Sequence, residues 1–100
     1  MEMVKTEFKL ASPIKAHGEL VSVLNIRRPT IEEVRAIKVL PYNLGETMLP
    51  VVDLEAACKY LAVCAAIPAS SVNQLELSDL NSLAWQIVGF FLQSTEASTT

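Results

Sequence analysis

Few residues in this chain of 100 are of a type that does chemistry, and their spacing limits what they do together. The lone histidine, His17, stands beside Gly18 in a predicted turn. A catalytic base needs a group to deprotonate and an acid to orient it. The neighbouring sequence offers neither, so a solvated turn histidine is the simpler reading. Glu32 with Glu33, and Asp53 with Glu55, are carboxylate pairs of the kind that bind metal or do acid–base work. Both open predicted helices, where carboxylates favour the positive end of the helix dipole, and that role explains them without a metal. Cys58 and Cys64 lie six apart in a predicted helix, about 120° from each other around its axis. They cannot readily bond within that helix and lack the spacing of a redox or zinc motif. They read as small, buried, reduced hydrophobes of a cytoplasmic protein. No Gly-rich phosphate loop or nucleophile elbow occurs. An enzyme is not expected, nor a metal or a cofactor.

The composition points to surfaces instead. The chain is 51% hydrophobic with only 19% charged residues, and its net charge is −3. Residues 1–49 carry seven Lys/Arg against six Asp/Glu, or +1; residues 50–100 carry only Lys59 against five acids, or −4. The apolar half is thus the acidic half, and Arg27-Arg28 is a pair rather than a patch. A recognition helix for DNA needs basic residues; the helix expected at 30–40 has only Arg35 and Lys38. No nucleic-acid partner is expected. The longest nearly apolar runs, around Tyr60–Ile67 and Leu83–Leu92, are about ten residues, too short to cross a bilayer. With no basic stretch leading an apolar one, neither a membrane partner nor a secretory signal is expected.

The elements follow from periodicity. Val4, Thr6, Phe8 and Leu10 alternate with Lys5, Glu7 and Lys9, the period-two pattern of a half-buried strand. Pro13 and Gly18 bracket a connection, and Leu20–Arg27 supplies a second strand rich in β-branched residues, so a hairpin is the natural pairing. Thr30 with Glu33 has the spacing of a capping box. It opens a helix expected to bury Ile31, Val34, Ile37 and Val39 or Leu40 before Pro41 stops it. Two prolines and a glycine mark 41–50 as an irregular loop. Residues 53–67 read as a helix, begun near Val51, with Leu54, Cys58, Leu61 and Ala65 as its buried stripe. Glu55 and Lys59 form an i,i+4 pair on its exposed side. Ser71 and Gln74 repeat the capping-box spacing over a short turn. The expectation is an α+β fold: an N-terminal β-hairpin packed on a mainly helical domain of three to four helices. It forms one domain over residues 1–93, with a disordered tail at 94–100.

The helix expected at 78–93 has more apolar surface than one small core can use. At about 100° per residue, Leu80, Leu83, Ala84, Ile87, Phe90 and Phe91 share one broad face. Asp79, Ser82, Gln86, Gly89 and Gln93 form a narrow polar strip. Trp85, Val88 and Leu92 form a second apolar stripe beside it, the candidate partner-binding surface, unless a neighbouring segment covers both faces. Ser78 is the expected N-cap. Gly89 leaves room for another backbone to approach. Two apolar stripes and Ala-rich helices also predict a homo-oligomer joined through helices 53–67 and 78–93.

Read together, the motifs resemble the small tail assembly chaperones of contractile-tailed phages, the family of tail protein E in P-two-like and Mu-like phages and prophages. The resemblance runs from about Glu7 to Leu92. It is carried by Phe8-x-Leu10-x-x-Pro13-Ile14, Gly18, and Leu24-Asn25-Ile26-Arg27-x-Pro29-Thr30. It continues through Leu61-Ala62, Ile67-Pro68 and Leu75-x-x-x-Asp79. Its more specific positions are Arg27, Pro29, Thr30, Pro68 and Asp79, and the chain departs from the pattern at 41–50. The resemblance implies a non-enzymatic protein of the bacterial host cytoplasm that holds the tape-measure protein soluble while tail-tube subunits polymerise, then leaves. A structural tail or head-completion component and a small DNA-binding regulator are the rival readings. The resemblance further implies a longer product made by a −1 ribosomal slip. Phe90-Phe91-Leu92 is the place in the C-terminal third where codons could supply the uridine run, unless these residues merely complete an apolar helix.

Overall fold

A computed structural model of the chain describes residues 5–92. The expected tail at 94–100, and Val4 and Gln93 within the predicted patterns, lie outside the described residues. The order is β1 (Lys5–Ala16), β2 (Glu19–Arg27), α1 (Ile31–Ile37), β3 (Tyr42–Leu44), β4 (Pro50–Val52), α2 (Leu54–Ala65), α3 (Ala69–Val72) and α4 (Leu77–Leu92). The α+β architecture is the expected one, an antiparallel β1–β2 hairpin followed by four helices.

The hairpin is tighter than Pro13 and Gly18 suggest. β1 runs on through Pro13 to Ala16, and the connection is only His17 and Gly18, with φ of 56° and 78°. Positive φ at both positions of a two-residue loop is the type I′ arrangement, whose twist matches the flanking strands. Pro13 is tolerated because it sits in a bulge. Lys9 faces Val23 and Ile14 faces Val21, so five steps along β1 oppose two along β2. A residue lacking an N–H costs no ladder bond where none forms.

Pro41 does not end α1. Lys38, at φ 77°, turns the chain through a left-handed C-cap, and none of the helix is buried. Val34 and Ile37 pack against the core, whereas Ile31 is 76% exposed. The segment at 41–50 is not irregular. β3 and β4 pair antiparallel, Tyr42 opposite Val52 and Leu44 opposite Pro50, around a Gly45–Leu49 loop. Val51 therefore belongs to a strand, and α2 starts at Leu54 behind the Asp53 N-cap. Asp53 N–H donates to the Pro41 carbonyl, closing the base of this second hairpin.

The core gathers Ile14, Leu24 and Ile26 from the first hairpin, Tyr60, Leu61 and Cys64 from α2, and Leu83 and Ile87 from α4. The buried side of α2 is rotated from the expected stripe. Ala56, Ala57, Tyr60, Leu61 and Cys64 are buried, and Leu54 lies exposed. Small residues at 56 and 57 let α4 approach closely, which a stripe led by Leu54 would not. Glu55 and Lys59 both face solvent without forming an ion pair.

Candidate functional site

The positions that carried the resemblance prove to be joints between the ribbon and the helices. Arg27 leaves β2 and grips Glu33 of α1 through two parallel bonds, Nη1 to Oε1 at 2.9 Å and Nη2 to Oε2 at 2.7 Å. Such a bidentate pair is among the stronger charge-assisted contacts. Its Nη2 also approaches the Val63 carbonyl of α2 at 3.5 Å. Glu33 completes the capping box: it accepts from Thr30 N–H at 2.9 Å and donates its own N–H to Thr30 Oγ1 at 3.1 Å. The Arg27 hydrogen bonds, aided by those from Thr30, pull the Glu33 carboxyl down to about 2 against the opposing effect of burial. Pro29 fills the corner between strand and helix and lines a cleft with Arg28, Ile31, Val34, Phe90 and Phe91. Pro68 stands at the N-cap of α3, just beyond Ala66, whose φ of 57° ends α2.

Asp79 is not on a polar strip. It is buried, and its Oδ2 accepts the Ala11 N–H of β1 at 2.7 Å. The Ser71–Gln74 spacing does not make a capping box either. Ser71 Oγ donates to the Lys15 carbonyl at 2.6 Å, and Gln74 Oε1 accepts the Lys15 N–H at 2.8 Å. These three side chains satisfy β1 backbone groups that have no ladder partner: Ala11 lies within the bulge, and Lys15, opposite Leu20, turns its groups to the outer edge. Ser78 lies inside α4 rather than capping it, because the helix begins at Leu77.

The second stripe of α4 divides. Val88 is fully buried, while Trp85 is 45% and Leu92 50% exposed. Val88 is thereby part of the core surface, not a continuous outer stripe. The Cβ that Gly89 lacks would meet nothing within 4 Å, so no other element among the described residues uses the space. Phe90 and Phe91 pack inward. Phe91 meets Tyr60 and Tyr42 edge-on at 5.2 and 6.4 Å between centroids, and the Arg28 guanidinium sits 5.4 Å from the Phe90 ring. The Phe91–Tyr42 contact holds the second hairpin beside the C-terminal end of α4, next to exposed Leu92.

That hairpin carries the apolar surface the sequence reading missed. Seven of the twelve exposed large apolar side chains among the described residues fall between Val39 and Leu54: Val39, Leu40, Leu44, Met48, Leu49, Val51 and Leu54. Met48 is 69% exposed and holds φ at 65°, a conformation long side chains rarely adopt. The Tyr60 hydroxyl, buried in α2, donates to the Val39 carbonyl and fixes the approach to the hairpin. A visible signal existed: leucines and a methionine in a stretch whose prolines and glycine marked it as loop.

The remaining reactive groups are quiet. Cys58 and Cys64 are free, and burial pushes both thiols up, that of Cys64 to about 12. His17 is exposed, with Nε2 3.0 Å from the Ala66 carbonyl. Among the described residues no three His, Cys, Asp or Glu side chains stand close enough to hold a metal. No helix of these residues is long and apolar enough to cross a membrane. A family model described as phage tail assembly chaperone proteins, E, or 41 or 14, matches residues 7–92. The chain belongs to that family. No curated protein and no solved structure gives a match. In this tail assembly chaperone, then, a clamped ribbon-and-helix frame bears an exposed apolar hairpin.

Proposed function

We propose that this chaperone binds the tape-measure protein and shields its apolar helical surface until tail-tube subunits cover it. The observation that carries this reading is the concentration of exposed apolar side chains on the β3–β4 hairpin, beside Leu92 at the end of α4. Large apolar patches on a small protein mark partner surfaces, and methionine and leucine adapt to varied helical clients. The charge supports a protein client. No Lys or Arg occurs between Lys38 and Lys59, and the segment carries Glu46, Asp53 and Glu55. An acidic, apolar surface repels a phosphate backbone.

Co-expression with the tape-measure protein tests this. The client should be soluble with the wild-type chain and aggregate with a Met48→Asp, Leu49→Asp variant of unchanged circular dichroism. The chaperone should be absent from finished tails. A client equally soluble with and without the chaperone would refute the proposal, and its presence in finished tails would favour a structural component.

A further inference from the structure

The outer side of α4 is built differently from that of the other long helix. α2 turns Ala56 and Ala57 inward and shows Glu55 and Lys59 to solvent. α4 carries a single charged residue over Leu77–Leu92, Asp79, and that one is buried against β1. Its outer side reads Ser78, Ser82, Trp85, Gly89 and Leu92, at intervals of four, three, four and three residues. That alternation is the heptad seam by which one helix packs on another. Ser78 and Ser82 are exposed, Trp85 is 45% and Leu92 50% exposed, and a Cβ added at Gly89 would meet nothing within 4 Å. Two large side chains and the small residues beside them thus share one open seam.

We propose that this seam packs antiparallel against the same seam of a second copy of the chain, α4 on α4, about a two-fold axis level with Ile87. The sizes select the occupant and the direction. With the axis there, Trp85 of each copy falls opposite Gly89 of the other, and Leu92 opposite Ser82. Every layer then sets a large side chain into a hole left by a small one. A parallel pair sets Trp85 on Trp85 and Gly89 on Gly89, a clash beside a void, and each is destabilising. Sliding the antiparallel pair by one heptad brings Gly89 opposite Ser78, and nothing fills that gap. The lack of charge fits the same occupant, since an uncharged seam neither repels its own copy nor offers a counter-charge to a charged partner. Antiparallel neighbours also oppose their helix dipoles. An exposed tryptophan seated in a close-fitting hole is the kind of contact that dominates an interface. The pairing leaves α2 out and makes no use of the β3–β4 hairpin, so it stands apart from what the chaperone binds.

Trp85 is the one tryptophan of the chain, so its fluorescence reports the seam directly. In sedimentation equilibrium the full chain, without client, should be a dimer, and its emission maximum should move to the red as dilution dissociates it. Gly89→Leu fills the hole while raising helix propensity; it should leave circular dichroism intact and raise the dimer Kd by about tenfold or more. Ser82→Arg and Leu92→Glu, both at exposed positions, should each weaken the dimer. The double variant should recover it, because antiparallel pairing sets the two introduced charges against each other across the axis. A wild type that stays monomeric at high concentration overturns the proposal. So does a dimer indifferent to Gly89→Leu, since its interface would lie elsewhere. A double variant no tighter than either single one overturns the antiparallel register, because a parallel pair sets like charge on like.

Discussion

Met48 should be a residue whose replacement makes the protein more stable and less useful. Its φ of 65° puts a long side chain in the left-handed region, which costs an L-residue roughly 1–2 kcal/mol. Little in the fold returns that energy, because the side chain is 69% exposed. Its N–H donates to the Gly45 carbonyl at 2.9 Å, and this turn bond does not depend on the side chain. Asparagine accepts the same backbone with less strain, and it hydrogen-bonds locally in turns. Met48→Asn should therefore stabilise the protein by about 0.5–1 kcal/mol, since asparagine recovers only part of the left-handed penalty. In a domain of this size, 1 kcal/mol corresponds to about 4–8 °C in Tm, so a rise of about 2–8 °C is expected.

The same substitution removes an exposed thioether from the middle of the apolar hairpin. Thermal or urea unfolding measures the first effect, and the soluble fraction of co-expressed tape-measure protein measures the second. Gain of stability with loss of client solubility is the expected pair, the pattern of strain kept at a working site. A Tm that falls shows that Met48 contributes packing the exposure does not reveal. A Tm that rises with client solubility intact removes Met48 from the binding surface. Either result refutes the reasoning.

Four further outcomes follow from the joints and the core. Asp79→Ala strips the acceptor from the Ala11 N–H and should cost about 2–3 kcal/mol, with faster hydrogen exchange at Ala11; Asp79→Asn should cost less, because it keeps an acceptor. Val88→Asp buries an unpaired carboxylate in place of a packed methyl pair, so the chain should be unfolded by circular dichroism; Leu92→Asp on the same helix should leave it folded. The Glu33 carboxyl is depressed in the folded state, so its contribution is complete above an ordinary carboxylate pKa of about 4.3 and lost as pH falls towards about 2; a Glu33→Gln variant should show a flatter fall in stability across that window. Ala66→Gly at φ 57° and Gly89→Ala, where a Cβ meets open space, should each stabilise the protein by about 1 kcal/mol in urea unfolding.

What the sequence revealed and what it hid divide along the distance between partners. The strand alternation at Phe8–Leu10, the Thr30–Glu33 capping box and the apolar face of α4 are written in residues within a few positions of one another, and each stands as the local pattern predicts. Ser71, Gln74 and Asp79 are residue types that cap helices, and their spacing fits local caps, yet their partners on β1 lie 56, 59 and 68 residues away. No local pattern distinguishes a cap from such a tether, because the same side-chain groups serve both, a hydroxyl donating as readily as it accepts. The second hairpin was hidden for a related reason. Three-residue strands are too short to show a period, and what holds these two is tertiary: Tyr42 against Phe91, Asp53 N–H on the Pro41 carbonyl, and Tyr60 beneath Val39. The misplacement of Val88 follows from the same geometry, since helix periodicity fixes angles around an axis but not how far the neighbouring elements wrap. It follows that the residues carrying the family resemblance, Arg27, Thr30 and Asp79 above all, are the ones whose roles are structural. The tip of the hairpin between them takes no bond from those side chains, so exposed positions such as Met48 and Leu49 can be exchanged without loosening the frame.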